Sequence, residues 1–558
     1  MDSDTSSASG TNKYVPEYRR TTFKNKNKFS AEELRKRRET QQVELRKTKR
    51  DEVLAKRRNM ASSVVDDNTQ NTALNEETGA VDKDLMTGAG KSEEEYNYFL
   101  QEELPKQINN IMSQDLAQQL TGVIALRQML SREYKPPIRE VLDCGILPRL
   151  IEFIGPNQPD QLQHESAWAI TNLCSGASED TRIVVESNVL PNMIALMESD
   201  NVEVKEQAVW CIGNIAGDSS EYRDLCIQMD VMPLLLNCFE LNRASLTKTS
   251  VWTLSNICRG RTSKPNWSVV SQALPVISRL IYSYDTEILS DALWTLSYLS
   301  DGDDNAITNV LKFNVAPRLV QLLSNGSSQV QTPALRTIGN LLTGDDIHTQ
   351  TILASRVLEP LIALLTAKKE NMRKEACWCF SNILAGTPAQ AREVISSGCI
   401  PMLLDIIETD TPRCKKEALW CICNACSAGG MDPEIIRVLV GYGVLKTLCL
   451  QLVTKDNKLI EIILDSLLQI LQVGEADKEA SGLAVNEYAS LIEQYGGADT
   501  IFNLQTHQSE IIYNKSFKLI DTYFSGEEEE EEAALNDEMG NSEFRYNINE
   551  ANQQNFQF

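Results

Sequence analysis

Tryptophan and asparagine recur at a fixed spacing, and these two residue types together could bind an extended ligand. Six of the seven tryptophans follow a series of 42 residues in which Arg336 takes the one position without Trp: Trp168, Trp210, Trp252, Trp294, Trp378 and Trp420. Four residues after each position, Arg336 included, comes a second series: Asn172, Asn214, Asn256, Tyr298, Asn340, Asn382 and Asn424. Residues four apart share one face of a helix, so indole and amide project together in each unit.

Two interpretations of this ladder compete. In the first, the indoles simply fill the core between units, since aromatic side chains dominate core packing. The repeated Asn argues against it, because a buried amide without partners costs about 1–3 kcal/mol. In the second, the amides line a groove and hydrogen-bond the main chain of an extended peptide. The indoles would then flank the aliphatic stems of Lys or Arg and attract their charged heads. Each such cation–π interaction contributes roughly 0.5–2 kcal/mol.

Acidic residues accompany the ladder and favour a cationic ligand. Asp218 follows Trp210 by eight residues, just past its predicted helix, and Asp291, Glu375 and Glu417 each precede a ladder position by three. Such charges are usually solvated surface decoration. The ladder is broken in the middle by Tyr298 and Arg336, and a cation there would repel a basic ligand. We therefore predict a three-Trp site and a separate two-Trp site.

The elements that must position these residues are helices. A 42-residue helical period is typical of armadillo and HEAT repeats. A proline series opens one helix in each unit, at Pro148, Pro191, Pro233, Pro275, Pro317, Pro360 and Pro401. A glycine series after the Trp/Asn helices is expected to end them in the left-handed conformation, at Gly176, Gly217, Gly260, Gly302, Gly344 and Gly386. Leu126 and Ile462 extend the ladder outward, and a last unit surrounds Phe517.

The predicted fold is therefore all-α. We expect a right-handed superhelical armadillo-repeat solenoid of about ten repeats over residues 92–523. Residues 1–10 and the acidic tail 524–558 should be disordered, and residues 61–91 should form a flexible linker. Ahead of the linker, a basic helical arm over residues 11–60 begins its helix at Ser30, with Glu33 completing a capping box.

Charge separates the arm from the body. The net charge is −24, yet the stretch from Lys13 to Arg58 holds 17 Lys/Arg against 7 Asp/Glu, a local +10, which leaves −34 for the rest. An anionic body disfavours nucleic acid as its ligand. The fourteen scattered cysteines indicate a reduced intracellular protein, and no signal peptide or membrane-spanning stretch is predicted.

The basic arm is built for an acidic partner. Its helix carries Arg35, Lys36, Arg37, Arg38, Arg46, Lys47, Lys49 and Arg50. Basic runs by composition alone are often nucleic-acid or membrane patches. With an acidic body on the same chain, a protein partner is favoured. Lys56, Arg57 and Arg58 are themselves the ligand type that the body selects, so we predict that the arm occupies the groove as an autoinhibitor.

These features resemble the importin-α family, adaptors that recognise nuclear localisation signals, from about residue 11 to 523. The resemblance implies a major site at Trp168, Asn172, Gly176, Thr181, Gln207, Trp210, Asn214, Asp218, Trp252, Asn256 and Asp291. It implies a minor site at Tyr298, Arg336, Asn340, Glu375, Trp378, Asn382, Glu417, Trp420 and Asn424. Thr249 departs from the family, which often has Asn there, and this leaves one hydrogen bond of the major site open.

The resemblance also implies partners. Importin-β would wrap the arm, cargo proteins with mono- or bipartite basic signals would fill the groove, and the export receptor CAS with Ran-GTP would bind the C-terminal repeats. The protein would shuttle between cytoplasm and nucleus, with no direct contact to nucleic acid or membrane.

Two other classes of function compete with an import adaptor: an adhesion or signalling scaffold, and an enzyme. An adhesion or signalling scaffold of the catenin type would use Lys and Arg along the groove to hold acidic partners. An enzyme would need a catalytic domain that the tails do not resemble. The three histidines lie in different repeats, and the Cys423/Cys426 spacing lies on a predicted helix, so we expect core cysteines, no metal, no cofactor and no enzyme activity.

Overall fold

The computed structural model describes residues 56–58, 96–132, 135–260 and 263–524. Within these ranges the secondary structure is helical, with no strand. The residues divide into two compact units, described separately below, the first through Leu361 and the second from Ile362. The predicted helix at Ser30, its basic residues from Arg35 to Arg50, the linker, the N-terminal ten residues and the tail beyond residue 524 lie outside the described residues.

Each repeat contains three helices in the predicted order. The long ladder helices are α2 (Leu116–Leu130), α5 (Asp160–Leu173), α8 (Val202–Asp218), α11 (Ala244–Cys258), α14 (Thr286–Leu299), α17 (Ser328–Leu341), α20 (Glu370–Leu384), α23 (Pro412–Gly429), α26 (Asn457–Ser481) and α29 (Glu510–Tyr523). Leu126, Ile462 and Phe517 lie on α2, α26 and α29, as the extended ladder predicts.

Two shorter helices precede each ladder helix from α5 onward. The first ones are α3 (Ile138–Asp143), α6 (Ser178–Glu186), α9 (Ser220–Gln228), α12 (Trp267–Val270), α15 (Asp304–Leu311), α18 (Asp346–Ala354), α21 (Pro388–Ser396), α24 (Pro433–Gly441) and α27 (Glu487–Gln494). The second ones are α4 (Leu147–Phe153), α7 (Leu190–Leu196), α10 (Val231–Asn237), α13 (Leu274–Leu280), α16 (Ala316–Leu322), α19 (Leu358–Leu365), α22 (Ile400–Thr409), α25 (Val444–Gln451) and α28 (Gly497–Leu504).

A few elements fall outside this scheme. A π-helical turn at Phe99–Glu103 leads into α1 (Leu104–Met112), and 3-10 turns span Cys238–Leu241 and Ser271–Ala273. The proline series lies in the first turn of the second helices, where a missing N–H costs nothing. Some ladder helices begin at polar caps, and the Asn201 and Asp285 side chains each accept two main-chain N–H groups.

The glycine prediction was wrong in its mechanism. Most of the left-handed residues lie between the first and second helices of a repeat, as at Asn188, Asn314 and Gly398. None of the six predicted glycines has a positive φ. At Gly176, a Cβ would meet the Asp180 carboxylate at 2.6 Å.

At three of these six positions, glycine makes room for a polar side chain from the following helix. The Asp180, His348 and Gln390 side chains reach back to accept the main-chain N–H groups of Ala177, Asp345 and Thr387, directly beside Gly176, Gly344 and Gly386. The Asp345 and Thr387 side chains accept a main-chain N–H in return, which completes a capping box at each of these two positions. Glycine is required for close approach, and not for its freedom of φ.

The core is apolar and holds most of the cysteines. All fourteen cysteines are free, and all but Cys144 are buried. Cys423 and Cys426 are core residues, and burial raises the pKa of Cys423 to about 12. Among the described residues, His, Cys, Asp and Glu form no group able to hold a metal ion. No helix in the described ranges is both long and apolar enough to cross a membrane.

Candidate peptide-binding site

Residues 56–58 of the arm lie against the ladder helices of the first unit. Asn214, on α8, brackets the main chain of Arg57: its Oδ1 accepts the Arg57 N–H at 2.9 Å and its Nδ2 donates to the Arg57 carbonyl at 3.0 Å. The indole N–H of Trp210, one turn earlier, donates to the same carbonyl at 2.8 Å. Both main-chain polar groups of one residue are thus bound, as they would be by a neighbouring β-strand.

The Lys56 ammonium lies in a closed polar pocket. Its Nζ is 2.5 Å from the Asp218 carboxylate, 2.7 Å from Thr181 Oγ1 and 3.0 Å from the Gly176 carbonyl. The Gly176 carbonyl and Thr181 Oγ1 accept hydrogen bonds from this ammonium, and the Asp218 carboxylate is its ion-pair partner. The side chains of Lys56 and Asp218 are only 15% and 4% exposed, so water screens this ion pair little. Asp218 is the last residue of α8, and not just past the helix as predicted.

The Arg57 and Arg58 side chains contact different groups from Lys56. The Arg57 guanidinium lies 5.0 Å from the ring centroid of Trp252 and 3.0 Å from Asp291 Oδ2. This combination of an indole face and a carboxylate is the one that the ladder predicts for a basic side chain. Arg58 donates to the Arg132 carbonyl at 2.8 Å and to Ser175 Oγ at 3.4 Å.

The Asn side chains have a second, structural role. Asn214, Asn256, Asn340 and Asn424 each donate from Nδ2 to a main-chain carbonyl 43 residues earlier, on the preceding ladder helix. The donor–acceptor distances are 2.7–3.0 Å. Asn172 donates instead to Ser131 Oγ at 3.0 Å.

The assumption that an amide in the core would lack partners was therefore wrong. All these Asn side chains are buried, and each reaches an acceptor on the neighbouring repeat. Core and ligand roles are compatible, because an amide carries two N–H donors and an acceptor oxygen. Asn214 uses all of them, two for Arg57 and one for the Thr171 carbonyl.

The indoles are more buried than a row of open slots would require. Trp168 and Trp210 are half-buried, whereas Trp252 is 2% exposed beneath Arg57. Trp294 is buried and stacks on Tyr298, with ring centroids 6.4 Å apart. The first interpretation of the ladder, core packing, thus describes part of what the indoles do.

The remaining predicted residues of the first unit lie on the ladder helices α8, α11 and α17. Gln207 and Asn256 are buried on α8 and α11. Thr249 Oγ1 donates to Glu206 at 3.2 Å, so the departure from the family pattern makes a contact within the protein. Arg336 is half-buried on α17, and Asn340 on the same helix donates to the Ser297 carbonyl.

In the second unit, the predicted residues lie on α20 and α23 at the expected spacing. Trp378 and Asn382 are each 2% exposed, and Trp420 is 7% exposed. Glu375 and Glu417 are buried, and Lys374 Nζ lies 3.4 Å from the Glu375 carboxylate. The role of these residues in a minor site stays a prediction.

Some contacts of the arm were missed from the sequence. Ser175 follows Asn172 by three residues, one turn further on the same face, and this spacing could have indicated it. The Arg132 carbonyl gives no signal, because every residue has a carbonyl group. Arg127 and Glu165, which pair at 2.7 Å beside Trp168, were also missed.

Several family models match the chain. The model described as the importin beta binding domain matches residues 19–124. The armadillo/beta-catenin-like repeat matches 135–175, 219–259, 263–301, 303–343, 345–385 and 387–427. A HEAT-like repeat matches 160–215, and an atypical Arm repeat matches 486–538.

Known proteins resemble the chain over different lengths. Importin subunit alpha of Saccharomyces cerevisiae is 67% identical over 554 residues, 99% of this chain and 100% of that protein. Importin subunit alpha-1 of Schizosaccharomyces pombe is 42% identical over 176 residues, 32% of this chain and 29% of the other. A crystal structure of an engineered protein shares the fold, with a TM-score of 0.67 at 22% identity, over 75% of this chain and 98% of that one.

Proposed function

The chain belongs to the importin α family, and we propose that it is a nuclear import adaptor whose Trp/Asn ladder binds Lys- and Arg-rich localisation signals. The importin beta binding match over residues 19–124 supports importin-β as the partner of the arm. The adaptor would carry cargo from cytoplasm to nucleus, and CAS with Ran-GTP would bind its C-terminal repeats and return it to the cytoplasm. It has no catalytic role in this scheme.

One observation carries the proposal: the basic tripeptide Lys56–Arg58 lies on the ladder, and each of its three cationic side chains contacts acceptor groups of the repeats. The Lys56 ammonium meets three acceptors, and Arg57 meets an indole and a carboxylate. The main chain is held through Asn214 and Trp210, which recognise backbone atoms present in any sequence. Such a site selects charge at fixed positions and tolerates different cargo sequences.

The same contacts support autoinhibition by the arm. Residues 56–58 occupy the positions that a cargo signal would need, so arm and cargo compete. The tether gives the arm an effective concentration up to about millimolar. Importin-β bound to the arm would withdraw it and open the site, and loss of importin-β would let the arm expel cargo. The minor site on α20 and α23 would bind the second basic cluster of a bipartite signal.

Deletion of residues 1–60 tests this function. We expect the truncated protein to bind a fluorescent Lys/Arg-rich peptide about tenfold or more tightly than the full chain, measured by anisotropy, because the competitor is gone. Adding importin-β to the full chain should raise its affinity for the peptide most of the way to that of the truncated protein. A truncated protein that fails to bind the peptide would contradict the receptor role. One that binds with the affinity of the full chain would contradict autoinhibition alone.

A further inference from the structure

One short turn of the chain, from Gly176 to Thr181, forms a side of the Lys56 pocket. The Gly176 carbonyl and Thr181 Oγ1 accept hydrogen bonds from the Lys56 ammonium at 3.0 and 2.7 Å. Helix α6 begins at Ser178, so Gly176 lies just before the helix and Thr181 near its start. The geometry of this turn therefore decides whether two of the three partners of the ammonium are in place.

Asp180 holds the peptide unit that carries the Gly176 carbonyl. Its Oδ2 accepts the main-chain N–H of Ala177 at 3.0 Å. The Gly176 carbonyl and the Ala177 N–H belong to one planar trans peptide unit, in which the two groups point in opposite directions. Because Asp180 binds the N–H on one side, the carbonyl points to the other side, where the Lys56 ammonium lies.

The Asp180 carboxylate is itself fixed in position. Asp180 is only 8% exposed, and its Oδ1 lies 3.6 Å from Arg139 on α3. A Cβ at position 176 would lie 2.6 Å from Oδ2, so glycine is needed there for the carboxylate to come this close. Both carboxylate oxygens thus have a partner, and the one that faces the turn is held against it.

The charge of Asp180 strengthens the carbonyl as an acceptor. A hydrogen bond to an ionised group is roughly twice as strong as one between neutral groups, and hydrogen bonds in series polarise one another. The series here runs from the carboxylate through the Ala177 N–H and the Gly176 carbonyl to the Lys56 ammonium. An anion at one end and a cation at the other polarise the peptide unit in the same direction.

Two other repeats make the same contact with uncharged acceptors. His348 Nδ1 accepts the Asp345 N–H at 3.0 Å, and Gln390 Oε1 accepts the Thr387 N–H at 3.1 Å. A ring nitrogen that accepts an N–H carries no proton, so neither acceptor is an anion. Among these three turns, only the one beside Lys56 has a carboxylate in this position.

We infer that Asp180 is a positioning residue of the peptide site, which orients the Gly176–Ala177 peptide unit so that its carbonyl binds the ammonium of a lysine. Asp180 acts through this peptide unit, and its removal would leave the carbonyl without a fixed direction. The loss should therefore be confined to ligands that have a lysine at the position of Lys56. This inference rests on the proposed peptide-binding function.

The test uses the full chain with Lys56, Arg57 and Arg58 all changed to Ala, so that the arm no longer competes for the site. The Lys probe is a fluorescent peptide with the sequence of residues 53–64. The Met probe is the same peptide with Lys56→Met, which keeps an unbranched side chain without an ammonium. Asp180→Ala should weaken the Lys probe about 10-fold or more and change the Met probe less than about twofold, both measured by anisotropy.

Two further variants separate the geometry of the turn from its charge. Asp180→Gln keeps an acceptor, as Gln390 does at the equivalent position, and should weaken the Lys probe only about two- to fivefold through the lost charge. Asp143→Asn is the matched control, because Asp143 is exposed and pairs with the same Arg139 at 3.2 Å but lies outside the turn. It should change the affinity of either probe less than about twofold.

The outcomes separate this inference from the proposed function. Equal losses for both probes in the Asp180→Ala protein, or no loss for the Lys probe, would overturn the positioning role. Should the Ala variant fail to fold by circular dichroism, the Gln variant decides: a loss confined to the Lys probe supports the role, and any other result overturns it. Failure of the Lys probe to bind the protein that retains Asp180 would instead overturn the proposed function.

Discussion

The two units carry one ladder motif in two different environments. In the first unit, the Asn214 amide ties α8 to α5 and still reaches the main chain of Arg57, and the acids Asp218 and Asp291 pair with cations of the arm. In the second unit, the Asn424 amide makes the same tie to the preceding ladder helix, and Glu375 and Glu417 are buried.

The comparison separates two functions of the Trp/Asn pair. The tie between repeats follows from the ladder itself, since it recurs in both units at the same 43-residue separation. Recognition of a cation depends on acids and carbonyls from other elements, such as Asp218 at the end of α8 and Gly176 after α5.

The largest effect is expected at the Lys56 pocket. Asp218→Lys should weaken a Lys/Arg-rich peptide on the truncated protein at least 100-fold, because it replaces the carboxylate of a nearly dry ion pair with a second ammonium. Fluorescence anisotropy measures this. Glu179→Lys is the matched control, since it makes the same charge change at an exposed position on neighbouring α6. It should change peptide affinity only slightly, because salt screens the long-range repulsion between exposed charges. Equal losses for both variants would remove Asp218 from the site.

A smaller effect should distinguish the two Asn residues. Asn214→Ala and Asn424→Ala both leave a buried carbonyl on the preceding repeat without its donor, so each should cost about 1–3 kcal/mol of stability by thermal or urea unfolding. Only Asn214→Ala should also weaken a monopartite peptide, by about 10-fold or more, because Asn214 alone brackets the Arg57 main chain. Similar affinity losses in the two variants would mean that the loss of stability, and not the loss of a direct contact with the peptide, weakens binding.

The second unit offers a charge pair whose effect should be confined to stability. Arg373 holds Asp410 through two hydrogen bonds of 2.6 and 2.8 Å and lowers the pKa of Asp410 to about 2. Because the folded pKa lies below the unfolded value, the pair stabilises at pH above about 4, and this contribution is lost as pH falls toward 2. Asp410→Asn should cost roughly 1–2 kcal/mol at pH 7 and nearly nothing at pH 2. Peptide affinity should stay the same at pH 7, and a tenfold loss would show that the pair acts on the site.

The smallest change is expected at Thr249. Its hydroxyl donates to Glu206, whereas the longer amide of Thr249→Asn could also reach a peptide main chain. One added hydrogen bond to a neutral group should tighten the peptide about two- to fivefold. Anisotropy on the truncated protein measures it, and Thr249→Val, which only removes the hydroxyl, should not reproduce the gain. Weaker binding in the Asn variant would mean that Thr249 is needed for its contact with Glu206.

The sequence by itself determined the helices, their order and the residues that share a face. A period of 42 with proline at fixed offsets is a local signal, and it locates the ladder helices from α2 to α29. The armadillo fold was predicted correctly for this reason. The glycine series was also detected, but its cause lies in a side chain from the following helix, which spacing alone cannot reveal.

Only the tertiary structure decided which partners these residues have. It gave the Asn amides an acceptor on the preceding repeat, buried four indoles and filled the face of Trp168 with Arg127. It also joined Lys56 to acceptors 120, 125 and 162 residues away. Such contacts depend on distances between repeats and on the reach of particular side chains, and a one-dimensional pattern contains neither.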